Sequence, residues 1–257
     1  MQADGSALLY STYIGGGGAD YSGDVAVSDN GMAYIVGRTL ASNYPTKNAF
    51  QSKSAGDIDI VISQFDTTKS GSSSLVYSTY FGGSSSDAGM GIRIDAQGNM
   101  YIAGFTQSLN FPVQNAFQTQ NGSAGSAIPR DAIVAKLSAD GKTLLYSTYL
   151  GGEAYDVGYG LEIDKNGTMF IVGNTDSNRF PTKNAWQVAR ADVTDVFVAR
   201  IDPSKTGANS LLYSTYLGGT DRDYGYGVAV DSTSHVYVTG MTGPADLYKF
   251  PNTTMIG

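Results

Sequence analysis

Four aspartates each stand four residues after a glycine pair: Asp20, Asp87, Asp156 and Asp223. One carboxylate per repeat suggests two kinds of chemistry. Gathered on a common axis with nearby carbonyls, they would form an oxygen ring for calcium, which takes about six to eight such ligands. Asp221, beside Asp223 in "DRD", makes that corner the best single calcium candidate. Taken two at a time, carboxylates could serve as acid and base in glycoside hydrolysis. A plainer use competes with both: each aspartate accepts backbone N–H bonds and caps its own loop. Repetition favours the plain use, because an acid/base pair must break symmetry to hold two separate pKa values. Asp59, Asp131 and Asp195, which head a later strand in each repeat, read the same way.

Nothing else supplies a catalytic set. The one histidine, His235, falls in a hairpin on the opposite face from the aspartates, where other copies carry Asn99 or Thr168. A Ser–His–Asp or histidine–metal site has nothing to assemble around. No phosphate-binding "GxxxxGK" occurs, and "GGGG" at 15–18 is a turn of the repeat. The expectation is that the chain is not an enzyme; a polysaccharide lyase or hydrolase is the least favoured reading. Binding chemistry is better supplied. Tyr21, Tyr155, Tyr159, Tyr224 and Tyr226 fall near the aspartates, and aromatic rings with a polar handle suit sugars and protein surfaces.

The elements that must position these residues are repeated. "LLYSTYLGG" occurs at 144–152 and 211–219, with "LLYSTYIGG" at 8–16 and "LVYSTYFGG" at 75–83. Behind each copy, at fixed offsets, come the aspartate, an aromatic (Tyr34, Tyr101, Phe170, Tyr237), a glycine (Gly37, Gly104, Gly173, Gly240) and a threonine (Thr39, Thr106, Thr175, Thr242). An aromatic–proline pair follows, then "NAFQ", "NAFQ" and "NAWQ" in the first three repeats. Self-similarity at a long fixed period marks a repeat architecture.

Each unit reads as four short strands, A to D, as in 91–95, 99–106, 131–137 and 143–150. The segments are rich in β-branched and aromatic residues, with hairpin signals at "AQG" and "SADGK". The fold class is therefore all-β: propeller blades of four-stranded antiparallel meanders, about four repeats of roughly 67 residues, in an incomplete or open ring. The whole chain, 1–257, reads as one repeat domain with units of about 7–74, 75–142, 143–210 and 211–257, the last incomplete. A D strand is expected at 7–14, fifteen strands in all, and Trp186 should be core because it takes the slot of Phe50 and Phe117. Each glycine pair should supply the backbone freedom to turn inward to the next blade.

These motifs, "YSTYLGG" through "GNMY", "FP", "NAFQ" and "DVFVARI", resemble the bacterial seven-bladed β-propeller repeat (SBBP) family. Ser28 replaces the aspartate that ends strand A elsewhere, and Ser234 replaces the turn glycine. The resemblance implies a propeller on an exported or surface-exposed bacterial protein, and it brings no catalytic residues with it.

Composition narrows the partners. A net charge of −7 with scattered Lys and Arg disfavours nucleic acid and anionic membrane. No apolar run has transmembrane length. With no cysteine there are no disulfides, and "MQADGSALLY" carries no signal peptide, so an extracellular or cell-surface location needs a signal from elsewhere. The leading expectation is a non-catalytic extracellular module binding carbohydrate or protein on the face with the "GGxxxD" and long B–C loops. On that face the insert "TQNGSAGSAIPR" at 119–130 is a flexible excursion, either a recognition loop or neutral decoration. The alternative is a structural subunit that self-associates by strand addition at open blade edges. No cofactor is required beyond the calcium alternative. A piece of a larger ring, a ring completed by other copies, and an unusual small ring all remain open.

Overall fold

The computed structural model describes residues 1–191 and 193–243. Its first sheet holds β1 (Asp20–Val27), β2 (Met32–Thr39), β3 (Asp59–Asp66) and β4 (Leu75–Phe81) in that spatial order. The second holds β5 (Asp87–Ile94), β6 (Met100–Thr106), β7 (Asp131–Leu137) and β8 (Leu144–Leu150). The third holds β9 (Asp156–Ile163), β10 (Met169–Thr175), β11 (Asp195–Ile201) and β12 (Leu211–Leu217). The last has only β13 (Asp223–Val230) and β14 (Val236–Thr242). Every pairing is antiparallel between chain neighbours. These are the expected A–B–C–D meanders. The inner strands β1, β5, β9 and β13 lie side by side in that order, and the ring is not closed.

Neighbouring sheets bury each other's faces, so the strands are not simply apolar on one side and polar on the other. Ile92, Ile102, Ile133 and Tyr149 of the second sheet pack with Ile60, Ile62 and Phe81 of the first. Tyr146, Leu150 and Val134 of the second pack with Phe197, Ala199 and Tyr216 of the third.

The recurring letters each have a partner. The first tyrosine reaches the next blade: Tyr77 Oη donates to the Gly141 carbonyl at 3.0 Å, and Tyr146 Oη lies 2.9 Å from Ser210 Oγ. The second tyrosine holds its own blade's B–C loop. Tyr149 Oη accepts from Phe111 N–H and donates to the Ser108 carbonyl, each at 2.9 Å, and Tyr216 does the same with Phe180 and Ser177. The threonine accepts from the loop glutamine, as Thr148 Oγ1 does from Gln118 N–H at 2.8 Å. "NAFQ" is the other half of this contract. Asn48, Asn115 and Asn184 take positive φ, and their amides donate to the carbonyls of Val76, Leu145 and Leu212. Bridges such as Gln114 to Ser147 and Gln118 to Tyr149 lay the loop along the outer edge of strand D, which covers that edge.

Three expectations are corrected. Residues 7–14 are not a strand, so the described residues hold 14 strands rather than fifteen. A D strand pairs with a C strand, and the described residues hold none for this copy. Tyr10 still reaches the next blade, donating to Ser74 Oγ at 2.9 Å, but Tyr13, with no B–C loop of its own to hold, is fully exposed. Trp186 is not core: it is 67% exposed, and among the described residues the last sheet has no C and D strands to cover it. Finally, none of the paired glycines has a positive φ. Close approach explains them instead. A Cβ on Gly151 would lie 2.5 Å from Asp131 Cγ and 2.7 Å from Asp156 Oδ2, and one on Gly152 would meet Ser177 Cβ at 2.6 Å. The aromatic–proline pair at 250–251 and the weak strand candidate at 253–257 lie outside the described residues.

Candidate functional site

The four repeated aspartates begin β1, β5, β9 and β13, and each is engaged by its own loop. Gly16, Gly83, Gly152 and Gly219 donate their N–H to Asp20, Asp87, Asp156 and Asp223 at 2.7–3.0 Å. Thr39 and Thr106 hydroxyls donate to Asp20 and Asp87, and Ser108 and Ser177 to Asp87 and Asp156. The strand-heading aspartates work alike. Asp59 accepts from Ala55 N–H, Asp131 from Gly122 N–H and Asp195 from Ala191 N–H, at 2.7–3.0 Å. Except for Asp20, all are fully buried. They meet as pairs at the first glycine of each pair: Asp59 with Asp87 around Gly82, and Asp131 with Asp156 around Gly151.

Burial pushes the Asp87 carboxyl up to about 7 and that of Asp156 to about 8, with a neighbouring aspartate adding to each rise. Asp131 and Asp195 rise to about 6, again chiefly through burial. Raised carboxyls in a cleft often mark catalysis, but these are sealed inside the turn that joins two blades. The calcium ring is not assembled. Among the described residues no three Asp, Glu or His side chains gather to hold a metal ion. Asp221 accepts from Arg222 N–H at 2.8 Å. His235 pairs with Asp231 at 2.9 Å in an exposed hairpin between β13 and β14.

The candidate tyrosines fall into two groups. Tyr159 of β9 meets Tyr226 of β13 edge to face at 5.8 Å, and Tyr224 lies parallel to Tyr226 at 6.3 Å. Tyr226 is half exposed. Tyr155 and Tyr21 instead each carry a cation. The Arg130 guanidinium sits 3.9 Å from the Tyr155 ring centre and 4.2 Å from that of Phe105. Arg38 lies 4.8 Å above Tyr21. Neither arginine makes an ion pair or a side-chain hydrogen bond among the described residues, and Arg130 Nε is buried without a partner. Burial first, and the positive charge of Arg38 as well, pull Arg130 down to about 10, while Tyr159 opposes the change.

Arg130 closes the insert at 119–130. Asn121 and Ser123 of that insert turn inward and Ser123 Oγ accepts from Arg130 N–H at 2.7 Å, while 124–128 stay exposed. The inner strands carry one further unrepeated set. Arg93 of β5 bridges Asp24 of β1 at 2.8 Å and Glu162 of β9 at 3.2 Å, tying three blades together at half-buried positions.

Reading the sequence missed Arg38, Arg130 and the Asp24–Arg93–Glu162 bridge. The signal was present: each breaks the repeat. Arg38 stands where other copies have Phe105, Asn174 and Met241, and Arg130 where they have Ile58 and Thr194.

Comparison with known proteins adds the repeat's identity. The SBBP β-propeller repeat profile matches residues 9–45, 145–181 and 212–247. No curated protein matches the chain. Among solved structures, a luciferin-regenerating enzyme aligns at 10% identity over 85% of this chain and 83% of its own, with a TM-score of 0.28. A likeness at that score carries no argument. The sheets, their order and the three matches agree: the chain carries SBBP β-propeller repeats.

Proposed function

We propose that this chain is a non-catalytic binding module that takes a carbohydrate on the face bearing the glycine-pair and long B–C loops, and that it works at the cell surface or outside the cell. The carrying observation is the tyrosine group Tyr159, Tyr224 and Tyr226, set on two adjacent inner strands with one ring half exposed. Rings held at fixed angles on a rigid scaffold offer stacking surface at low entropic cost, and their hydroxyls supply hydrogen bonds. The repeated carboxylates support the non-catalytic part of the reading, since loop N–H and hydroxyl groups occupy them inside the blade junctions. The location rests on the resemblance to exported propeller-repeat proteins. A glycan array is the test. Retention that Tyr226→Ala abolishes supports the module; no retention of any glycan sinks it.

A specific observation favours a second reading, assembly through an open edge. Among the described residues the outer edge of β14 has no strand partner, and an apolar groove beside it is lined by Trp186, Val198, Leu217, Val236 and Val238. Light scattering over a range of concentrations separates the readings: a mass that grows with concentration favours assembly, and a constant monomer mass removes it.

A further inference from the structure

The protein is acidic overall, yet two arginines on its loop face, Arg38 and Arg130, make no ion pair among the described residues. Arg130 is flanked by Phe105 and Tyr155, and Arg38 lies over Tyr21. Stacking uses the flat faces of a guanidinium and leaves its N–H edges free, and those edges match a carboxylate or sulfate oxygen pair. Arg130 Nε is buried with no partner, and an anion on the free edge of that guanidinium offsets the cost of burying its charge. The tyrosine group begins beside Arg130, since Tyr155 and Tyr159 pack in one cluster with Phe105, and Tyr159 touches Tyr226. Charge and stacking surface therefore run from the second sheet, through the third, to the last.

We infer that Arg130 and Arg38, with Tyr155, Tyr159 and Tyr226, form a binding site for an anionic oligosaccharide, the arginines taking its acid group and the tyrosines its sugar rings. This rests on the binding-module reading and names its ligand class. The repeated residues cannot carry such selectivity, because they are consumed in building each blade. All five residues named stand at positions that vary between repeats.

The test is calorimetric titration of the full chain with three probes of matched length: an oligogalacturonate, a sulfated galactan oligomer and a neutral galactan oligomer. Either acidic probe should bind more tightly than the neutral one, and which of them binds identifies the acid group. Arg130→Gln should weaken the acidic probe by about tenfold, the loss expected for one charge-assisted contact. Arg38→Gln, at a more open position, should weaken it by several-fold. Arg130→Lys should restore part of the affinity, since it keeps the charge but loses the flat fork. Added salt should weaken the wild type more than Arg130→Gln. Equal binding of all three probes, indifferent to Arg130→Gln and Arg38→Gln, overturns the anionic ligand and leaves the module intact. Failure of all three probes, together with an empty glycan array, overturns the module itself.

Discussion

Strands β6 and β10 are buried along their whole length, and β14 is exposed along its whole length. All three follow the same pattern in the same place of their sheets: "MYIAGFT", "MFIVGNT" and "VYVTGMT". The difference therefore does not lie in the strand. A blade's second strand is covered by its own C strand at the edge and by adjoining blades on its two faces. Among the described residues β14 has no paired C strand and no further sheet against it. The N-terminal copy of the repeat shows the same thing from the other end. Its Tyr10 keeps the contact that reaches forward, and its Tyr13 lacks the one that needs a blade of its own. In a repeat fold, stability is shared between the unit and its neighbours, so an end unit has the sequence without the full environment.

Substitutions matched between complete and terminal units sharpen this contrast. The largest effect is expected at the glycine pairs. Gly151→Ala forces a methyl between two buried aspartates and should cost about 3 kcal/mol or more in chemical denaturation. Gly15→Ala, which meets only the exposed Asp20, should cost less than half of that. Equal costs would mean that the terminal turn is as closed as the internal one.

Next comes the pair Ile102→Ala in β6 and Val238→Ala in β14. The first empties a fully buried site and should cost about 3 kcal/mol. The second should stay within about 0.5 kcal/mol. A large cost at Val238 would show that something covers β14 in solution and would revive assembly through that edge.

The pH dependence isolates the junctions between complete blades. Asp87 and Asp156 hold their protons in the folded chain up to about 7 and 8, whereas an unfolded aspartate releases its own near 3.9. The folded state thus binds more protons across that window, and stability falls as pH rises through it. The contribution is fully present below about pH 4 and lost by about pH 8. Melting temperature should decline over this range, and Asp156→Asn should flatten the decline. A rise in melting temperature from pH 4 to 8 in the wild type would contradict the buried pairs.

The smallest effect concerns the β13–β14 turn. Ser234 has a φ of 68° where Gly31, Gly98 and Gly167 occupy the corresponding turns at 76–87°. Ser234→Gly should stabilise the last sheet by about 1 kcal/mol, seen as slower amide exchange in β14.

Much of the fold was legible because the repeat supplied it several times over. The meander and its hairpins follow from matched offsets, although strand A, read as 91–95, begins four residues earlier, at Asp87. The site was less legible for the same reason. The aspartates stood out through repetition, and repetition is what marks them as parts of the scaffold. Arg38 and Arg130 looked like scattered charges, since 92 residues of chain separate them. The misplacement of Trp186 and of 7–14 has a different cause: periodicity describes a unit in an endless array, and both lie beside units that are incomplete among the described residues.

By itself, then, the sequence determined the blade. Local propensity, hairpin turns and the pairing of "YSTY" with "NAFQ" are complete within one repeat and its neighbour, so each copy specifies them again. Only the tertiary structure decided which copies are covered, why the glycine pairs must lack a side chain, and which unrepeated residues meet across blades. Those outcomes depend on distances between units, and distances between units are set by how the sheets pack around the axis rather than by the order of residues in any one of them.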